Sequence, residues 1–290
     1  MPIVNPPSTS PPLVNIPRKI FHFLKDAGYG IENMQAPQFF DDVDEQRGLL
    51  IVDVGACDGS DWAVPAAKKR GHTVLAFEPM PANRERFMQT VKSSGMEHRT
   101  ELASYPNIPK SWPLKTDGKI FLFGACVSDK EGSVQLYAEG ELASIHPQDF
   151  YPETGLNTGK KTIDIPAVRL DSIVSGQDIH LLKIDTQGNE LAVLRGAQRL
   201  FEEGRIKMVE LEFWPKGMAA GGVNAVDVLD YLNAFGFVCF DYSNNKHVPP
   251  ERPSDFEGFV ASFDGNRDAG YGAWDELICF HAKHKDSFAL

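Results

Sequence analysis

The sequence predicts an α/β fold built on a mainly parallel sheet. Three observations indicate it: continuous apolar runs of the kind that is buried on both faces of a parallel sheet, helical stretches between these runs, and glycine- or proline-bearing turns where the runs end. Because parallel strands need crossover connections, the alternation predicts helices on both faces of the sheet, and therefore a three-layer α/β/α sandwich.

The first strand is predicted at Leu49–Val54, before the turn Gly55–Gly59. A helix from Trp62 to Arg70 and a second strand from Thr73 to Phe77 complete a β-α-β unit. Further helices are expected at 81–92, 190–200 and 226–235, and further strands at 119–127, 132–137, 163–168, 180–184, 208–213, 237–242 and 276–281. Polar stretches with glycine or proline predict loops at 93–118, 139–160, 216–222 and 243–272.

Two segments precede this domain, which is predicted to span residues 49–290. Residues 1–17 carry six prolines among small polar residues, too little apolar surface to offset the entropy of ordering, and are predicted to be a flexible arm. The spacing of Ile16, Ile20 and Phe23 is helical, so residues 18–48 are interpreted as a helical decoration of the domain.

Composition excludes several classes of partner. The formal net charge of −11 predicts an acidic surface that repels phosphate backbones, so nucleic acid is disfavoured. No apolar run reaches the ~18 residues that span a bilayer, and the N-terminus lacks the hydrophobic stretch of a signal peptide. Cys126, Cys239 and Cys279 lie among apolar neighbours and are expected to be buried thiols, which fits a reducing, cytoplasmic location.

The strongest local signal is the turn after the first strand, because ligands of open α/β sheets bind at the carboxyl ends of strands. Gly55 is expected to let the backbone approach a ligand, and Gly59 to allow a tight turn into a helix whose N-terminal amides favour an anion. Glu78, which follows Asp53 by 25 residues, ends the second strand, where a carboxylate can accept both hydroxyls of a ribose. Together these residues predict a nucleoside site.

A dinucleotide site is the natural competitor. Its fingerprint, G-x-G-x-x-G, needs a second glycine beside the pyrophosphate, and Cys57 occupies that position here. A nicotinamide-dependent oxidoreductase is therefore a disfavoured alternative, and the Gly55-x-x-x-Gly59 spacing better suits a ligand with an amino-acid end.

Four blocks in this order resemble the FkbM-type methyltransferase family of class I S-adenosylmethionine-dependent enzymes: Ile51–Ala56, Ala76–Pro79, Gly124–Asp129 with Gly132, and Leu182–Gly196. The last block is the most specific, since the family typically shows Lys-Ile-Asp-x-Glu-Gly-x-Glu there. This chain departs from that pattern at Gln187, which replaces the first of those glutamates. The departure motivates a further alternative, a nucleoside-binding interaction module that has lost catalysis.

The resemblance implies a Rossmann-like sheet of seven strands, the last antiparallel, and S-adenosylmethionine as cofactor. It implies O-methylation of a hydroxyl on a carbohydrate, glycolipid or natural product, so the expected partner is a small-molecule or glycan acceptor. Implied cofactor-binding residues are Asp53, Gly55, Ala56 and Gly59 at the methionine part, Glu78 and Pro79 at the ribose, Val127 and Ser128 near the adenine, and Asp185 near the transferred methyl.

Methyl transfer to oxygen needs a base or a metal ion that removes the acceptor's proton. The candidate bases are Asp185, which ends the strand at 180–184, and His146, in the loop before that strand. Asp185 equally suits a helix cap, and Glu190 a position that favours the helix dipole. Glu210 and Glu212 point to one face of their strand and, with Asp185, are candidate Mg2+ ligands, although pairing with Lys183 or with arginines explains them as well.

Overall fold

The strands form an eight-stranded sheet and a three-stranded sheet in the structure, a computed structural model that describes residues 48–109, 111–114, 118–137, 162–242, 254–263 and 272–281. The strands are β1 (Leu50–Val54), β2 (Thr73–Phe77), β3 (Thr100–Ala103), β4 (Lys119–Phe123), β5 (Cys126–Val127), β6 (Gly132–Tyr137), β7 (Thr162–Val168), β8 (Ile179–Ile184), β9 (Ile206–Phe213), β10 (Phe237–Tyr242) and β11 (Asp275–His281). The helices are α1 (Ala63–Arg70), α2 (Pro81–Ser93), α3 (Leu170–Ile173), α4 (Glu190–Gly196), α5 (Gln198–Glu202), α6 (Pro215–Ala220), α7 (Ala225–Ala234) and α8 (Phe256–Phe263), with a 3-10 turn at Glu97–Arg99.

The large sheet has the strand order β10-β11-β9-β8-β1-β2-β4-β3. Its strands run parallel except β11, which lies antiparallel between β9 and β10. The mainly parallel, Rossmann-like sheet with an antiparallel last strand is thereby confirmed. The count of seven strands is wrong, because β3 adds an eighth strand at the edge, inside the predicted loop 93–118. Its four residues are exposed or half-buried and so lack the apolar run that marks a buried strand.

Helices cover both faces of the large sheet, as a three-layer sandwich requires. Alternate residues of β1 point to opposite faces. Val52 joins a core cluster with Val193 of α4 and Leu229 of α7. Ile51 belongs to a second cluster with Ala66 of α1 and Phe87 of α2, on the other face. The predicted three layers are confirmed.

Several predicted elements differ in extent or type. The expected strand 119–127 divides into β4 and β5, which join different sheets. The predicted loop 216–222 is largely helix α6, whose Pro215 stands in the first turn, where proline is favoured. Gly217 serves packing rather than a loop, since a Cβ there would lie 1.9 Å from the Trp214 ring. Helix α8 likewise forms inside the predicted loop 243–272.

The cysteines correct one prediction. Cys239 and Cys279 are buried as expected, but they form a disulfide between β10 and β11 rather than two thiols. The pairing depends on a strand register that joins residues 40 positions apart, so neither local sequence reveals it. The prediction of a reducing, cytoplasmic location therefore loses its supporting argument. Cys126 is a free, buried thiol as predicted.

In the described residues, no helix combines the length and apolar character needed to cross a membrane. The predicted arm at 1–17 and nearly all of the predicted decoration at 18–48 lie outside the residues that the structure describes.

Candidate active site at the carboxyl ends of the central strands

The turn after β1 is bound to the end of β2. The backbone N–H groups of Gly55 and Ala56 both donate to the carbonyl of Phe77, at 2.9 and 3.1 Å. The N–H of Cys57 donates to Oε2 of Glu78 at 2.9 Å, and Cys57 has the left-handed φ of 48°. The glycine-bearing turn and Glu78 are therefore hydrogen-bonded to each other, at the adjoining strand ends where the sequence places them.

Glu78 is a buried carboxylate that is only 4% exposed. It accepts from the N–H of Cys57 and, at 2.8 Å through Oε1, from the N–H of Met80, and the Asn83 side chain is a third hydrogen-bond partner. Burial raises its pKa to about 7, against the opposite effect of these donors. A carboxylate has about four lone-pair positions, so Glu78 retains capacity for a further donor.

The two glycines of the turn make room for protein atoms. A Cβ on Gly55 would lie 1.7 Å from the backbone oxygen of Asp185, and one on Gly59 would lie 2.4 Å from the Phe87 ring. Both residues also adopt left-handed φ values, +81° and +72°. Gly55 is therefore required by a contact with the neighbouring loop after β8, whereas the expected approach of a ligand to its backbone stays a prediction.

That second loop, residues 185–189, is held by Glu190 at the start of α4. Glu190 is fully buried, and its Oε1 accepts from the N–H and hydroxyl of Thr186 at 3.1 and 3.0 Å and from the N–H of Gly188 at 3.1 Å. Burial raises the pKa of Glu190 to about 7. Glu190 therefore fixes the loop directly rather than acting only on the helix dipole. The N-cap position belongs to Asn189, so the interpretation of Asp185 as a helix cap is wrong.

Lys183 lies between the two loops. Its Nζ donates to the carbonyl of Gly55 at 3.2 Å and to Oδ2 of Asp185 at 3.3 Å, and lies 3.8 Å from Oδ1 of Asp53. Its side chain is 10% exposed, whereas that of Asp185 is 36% exposed. Lys183 is therefore a buried cation between the two loops, and Asp185 is the open end of this ion pair.

Gln187 bridges two carboxylates. Its Nε2 donates to Oδ1 of Asp185 at 3.1 Å and to Oε2 of Glu212 at 2.8 Å. Like Cys57 in the first loop, it is a non-glycine residue with a left-handed φ, 55°. Such conformations are sparsely populated and persist where surrounding contacts hold them.

Acidic side chains surround Lys183 along the sheet. Asp53, Lys183 and Glu210 are register partners on β1, β8 and β9, and Glu212 lies opposite Glu276 of β11. Burial raises the pKa of Asp53 to about 6 and that of Glu210 to about 7, and it raises the pKa of Glu212 and Glu276 well above the ordinary value. Glu276 has no signal in the local sequence, because only the antiparallel register of β11 brings it to the site.

Two of the three candidate Mg2+ ligands, Asp185 and Glu212, contact other side chains instead. In the part of the chain that the structure describes, no group of three or more histidine, cysteine, aspartate or glutamate side chains is placed to hold a metal ion. The Gln187 amide instead lies between Asp185 and Glu212, and the Lys183 ammonium takes the other oxygen of Asp185. The alternative explanation, pairing with Lys183, accounts for Asp185.

Val127 and Ser128, expected near the adenine, are buried beside the second loop. The carbonyl of Val127 accepts from Nδ2 of Asn189 at 3.1 Å, and the N–H of Ser128 donates to Val168 at 2.9 Å within the small sheet. Asp53, Gly55, Glu78 and Asp185 thus lie at adjoining strand ends, whereas the backbones of Val127 and Ser128 are engaged by neighbouring protein. His146 lies outside the described residues.

The family model of the methyltransferase FkbM domain matches residues 53–239. Among solved structures, the methyltransferase FkbM from Methylobacillus flagellatus KT is 15% identical, with a TM-score of 0.45 over 82% of this chain and 45% of its own. Precorrin-6y C5,15-methyltransferase from Geobacter metallireducens GS-15 is 13% identical, with a TM-score of 0.38 over 82% of each chain.

This chain therefore spans less than half the length of the Methylobacillus structure. No curated protein matches it in sequence. The family match covers well over half of the 290 residues, including both loops of the site. The chain belongs to the FkbM methyltransferase family.

Proposed function

We propose that this protein transfers the methyl group of S-adenosylmethionine to a hydroxyl on a carbohydrate, glycolipid or natural product. The observation that carries the proposal is Glu78, a buried carboxylate bound to the turn after β1 with acceptor capacity left over. A carboxylate in this place suits the hydroxyls of a ribose. Membership of the family supports methyl transfer, and the preference for oxygen comes from resemblance to that family.

The residues present fit the cofactor. Within the described residues, Oδ1 of Asp53 is buried and accepts no hydrogen bond, although Nζ of Lys183 lies 3.8 Å away, so this oxygen keeps acceptor capacity beside the turn. We assign the methionine part to Asp53, Gly55, Ala56 and Gly59, and the ribose to Glu78 and Pro79. The adenine is assigned to the neighbourhood of Val127 and Ser128, and the methyl group to that of Asp185. When bound, the cofactor supplies an electrophilic methyl group.

Asp185 is the proposed general base. Its carboxylate is more exposed than those of its acidic neighbours Asp53, Glu210 and Glu212, while Lys183 and Gln187 fix its two oxygens. Either oxygen has a lone pair left to take the proton of an acceptor hydroxyl. With the cofactor bound, Asp185 would take the proton of the acceptor hydroxyl while that oxygen receives the methyl group. His146 is the second candidate base.

Calorimetric titration with S-adenosylhomocysteine tests the cofactor assignment. We expect Glu78→Gln to weaken binding about 10-fold or more, because a charge-assisted acceptor is lost from the ribose position. Glu85→Gln, an exposed change on α2, is the matched control and should bind like the wild type. Folded wild-type protein that shows no binding would contradict the proposal.

Gln187 favours one alternative, an interaction module that binds the nucleoside but has lost catalysis, because this residue departs from the family's pattern. The two functions differ in one measurement. Methyl-labelled S-adenosylmethionine incubated with the protein and a broad extract should yield a labelled product if the protein is an enzyme. Cofactor binding without any labelled product would favour the module.

A further inference from the structure

The Gln187 amide makes contacts that a glutamate cannot make. Its two N–H bonds are directed at one oxygen of Asp185 and one of Glu212. Both acceptors are carboxylate oxygens, so only the nitrogen end of the amide can face them. A glutamate at this position has no donor when ionised and a single one when protonated, and it adds a third carboxyl group to the pair.

The Gln187 amide is uncharged, and this matters because most of the charged groups around it are acidic. Lys183 is the cation on Asp185, and it contacts Oδ2 only. Among the described residues, acidic groups that act on Asp185, Glu212 or Lys183 are Asp53 on β1, Asp61 after β1, Glu190 on α4, Glu210 on β9 and Glu276 on β11. Asp185 already disfavours ionisation of Glu212, and without the Gln187 donor between them this unfavourable interaction would increase.

We infer that Gln187 is a positioning residue that holds the Asp185 carboxylate in one orientation by tying its Oδ1 to Glu212. Lys183 holds Oδ2 from the opposite side, so rotation of the carboxylate is blocked at both oxygens. The base role of Asp185 rests on the proposed function, whereas the bridge itself does not. Gln187 thus orients the Asp185 carboxylate through a neutral hydrogen-bond donor. The replacement of the family's glutamate by Gln187 is therefore not a loss of the carboxylate that the site uses.

The variant Gln187→Glu tests the bridge through the pH dependence of thermal unfolding. The added carboxylate raises the pKa of Glu212 further above its ordinary value, because like charges and burial both disfavour ionisation. A group whose folded-state pKa is raised contributes stability below its unfolded pKa and loses it as pH rises through the folded pKa. We therefore expect Tm to fall by about 4 °C at pH 8 and by less than about 1 °C at pH 5.

The double variant Gln187→Glu with Glu212→Gln separates charge from shape. Positions 187 and 212 then again hold one amide and one carboxylate, with the amide donor now on β9. We therefore expect the double variant to recover at least half of the fall in Tm at pH 8. An equal loss at both pH values, or no recovery in the double variant, would overturn the inference and leave Gln187 as packing only. Titration of the same proteins with S-adenosylhomocysteine reports on the proposed function separately, since the unfolding results stand whether or not it binds.

Discussion

The two halves of the site are held by different forces. At β1 and β2, backbone N–H groups of Cys57 and Met80 fix Glu78, and the glycine turn packs against neighbouring protein. At β8, β9 and β11, Lys183 and the Gln187 amide donate hydrogen bonds to a group of acidic side chains that is mostly buried. The first half should therefore respond to steric changes in the backbone, and the second half to changes in charge and pH.

The largest effect is expected from Gly55→Ala in the first half. The new Cβ would lie 1.7 Å from the backbone oxygen of Asp185, at a φ of +81°, so the two loops must separate. We expect a loss of about 4 kcal/mol or more in the free energy of unfolding, measured by urea denaturation.

Gly95→Ala is the matched control, because Gly95 has a φ of +71° and no described atom lies within 4 Å of its added Cβ. It should cost only the backbone strain, about 1–2 kcal/mol. Equal losses for the two alanine variants would show that the contact between the loops is not what makes Gly55 necessary.

Lys183→Met should produce the next largest effect, in the second half. It removes the ammonium that binds Asp185 and the carbonyl of Gly55, and leaves buried carboxylates without that partner. We expect about 3 kcal/mol of destabilisation at pH 8. The loss should shrink at pH 5, because Glu210, whose pKa is about 7, is then protonated.

Lys207→Met provides the comparison, since Lys207 pairs with the half-exposed Asp178 and should cost less than about 1 kcal/mol at either pH. Denaturant unfolding of both variants at pH 5 and pH 8 measures the two losses in the free energy of unfolding. A Lys183 variant as mild as the Lys207 variant would mean that the carboxylates of the second half do not depend on the lysine.

The smallest effect is expected from Glu276→Gln, which should increase thermal stability. Burial and Glu210 raise the pKa of Glu276 well above its ordinary value, so its ionisation costs stability as pH rises. The variant should have a Tm about 1–3 °C above the wild type at pH 8 and equal to it at pH 5. Glu85→Gln should show no such dependence on pH, and a lower Tm for Glu276→Gln at pH 8 would reverse the assignment.

The first half was predictable because its signals are local. The apolar run of β1, the turn Gly55–Gly59 and Glu78 at the end of β2 lie within one β-α-β unit, and the structure brings them together as expected. The reason for Gly55 was not predictable, because the atom that excludes a side chain there belongs to Asp185, far along the chain.

The second half was predicted only in part. The alternation of Glu210 and Glu212 indicated a shared face, but Glu276 reaches that face through the antiparallel register of β11. The same kind of register pairs Cys239 with Cys279 and is equally invisible in a local pattern. Edge strand β3 was missed for a different reason: a strand with exposed or half-buried residues has no apolar run to reveal it.

The insertion of β11 between β9 and β10 bears on how the molecule is made. A ribosome releases β9 and β10 first, yet they cannot become neighbours in the finished sheet, since the strand between them is synthesised later. Until β11 emerges, the edge of β9 beside Glu210 and Glu212 has unpaired backbone N–H and C=O groups. Other chains can form hydrogen bonds with these groups. The acidic half of the site is thus completed only after β11 has been synthesised, and a nascent chain stalled before Asp275 would carry an aggregation-prone edge.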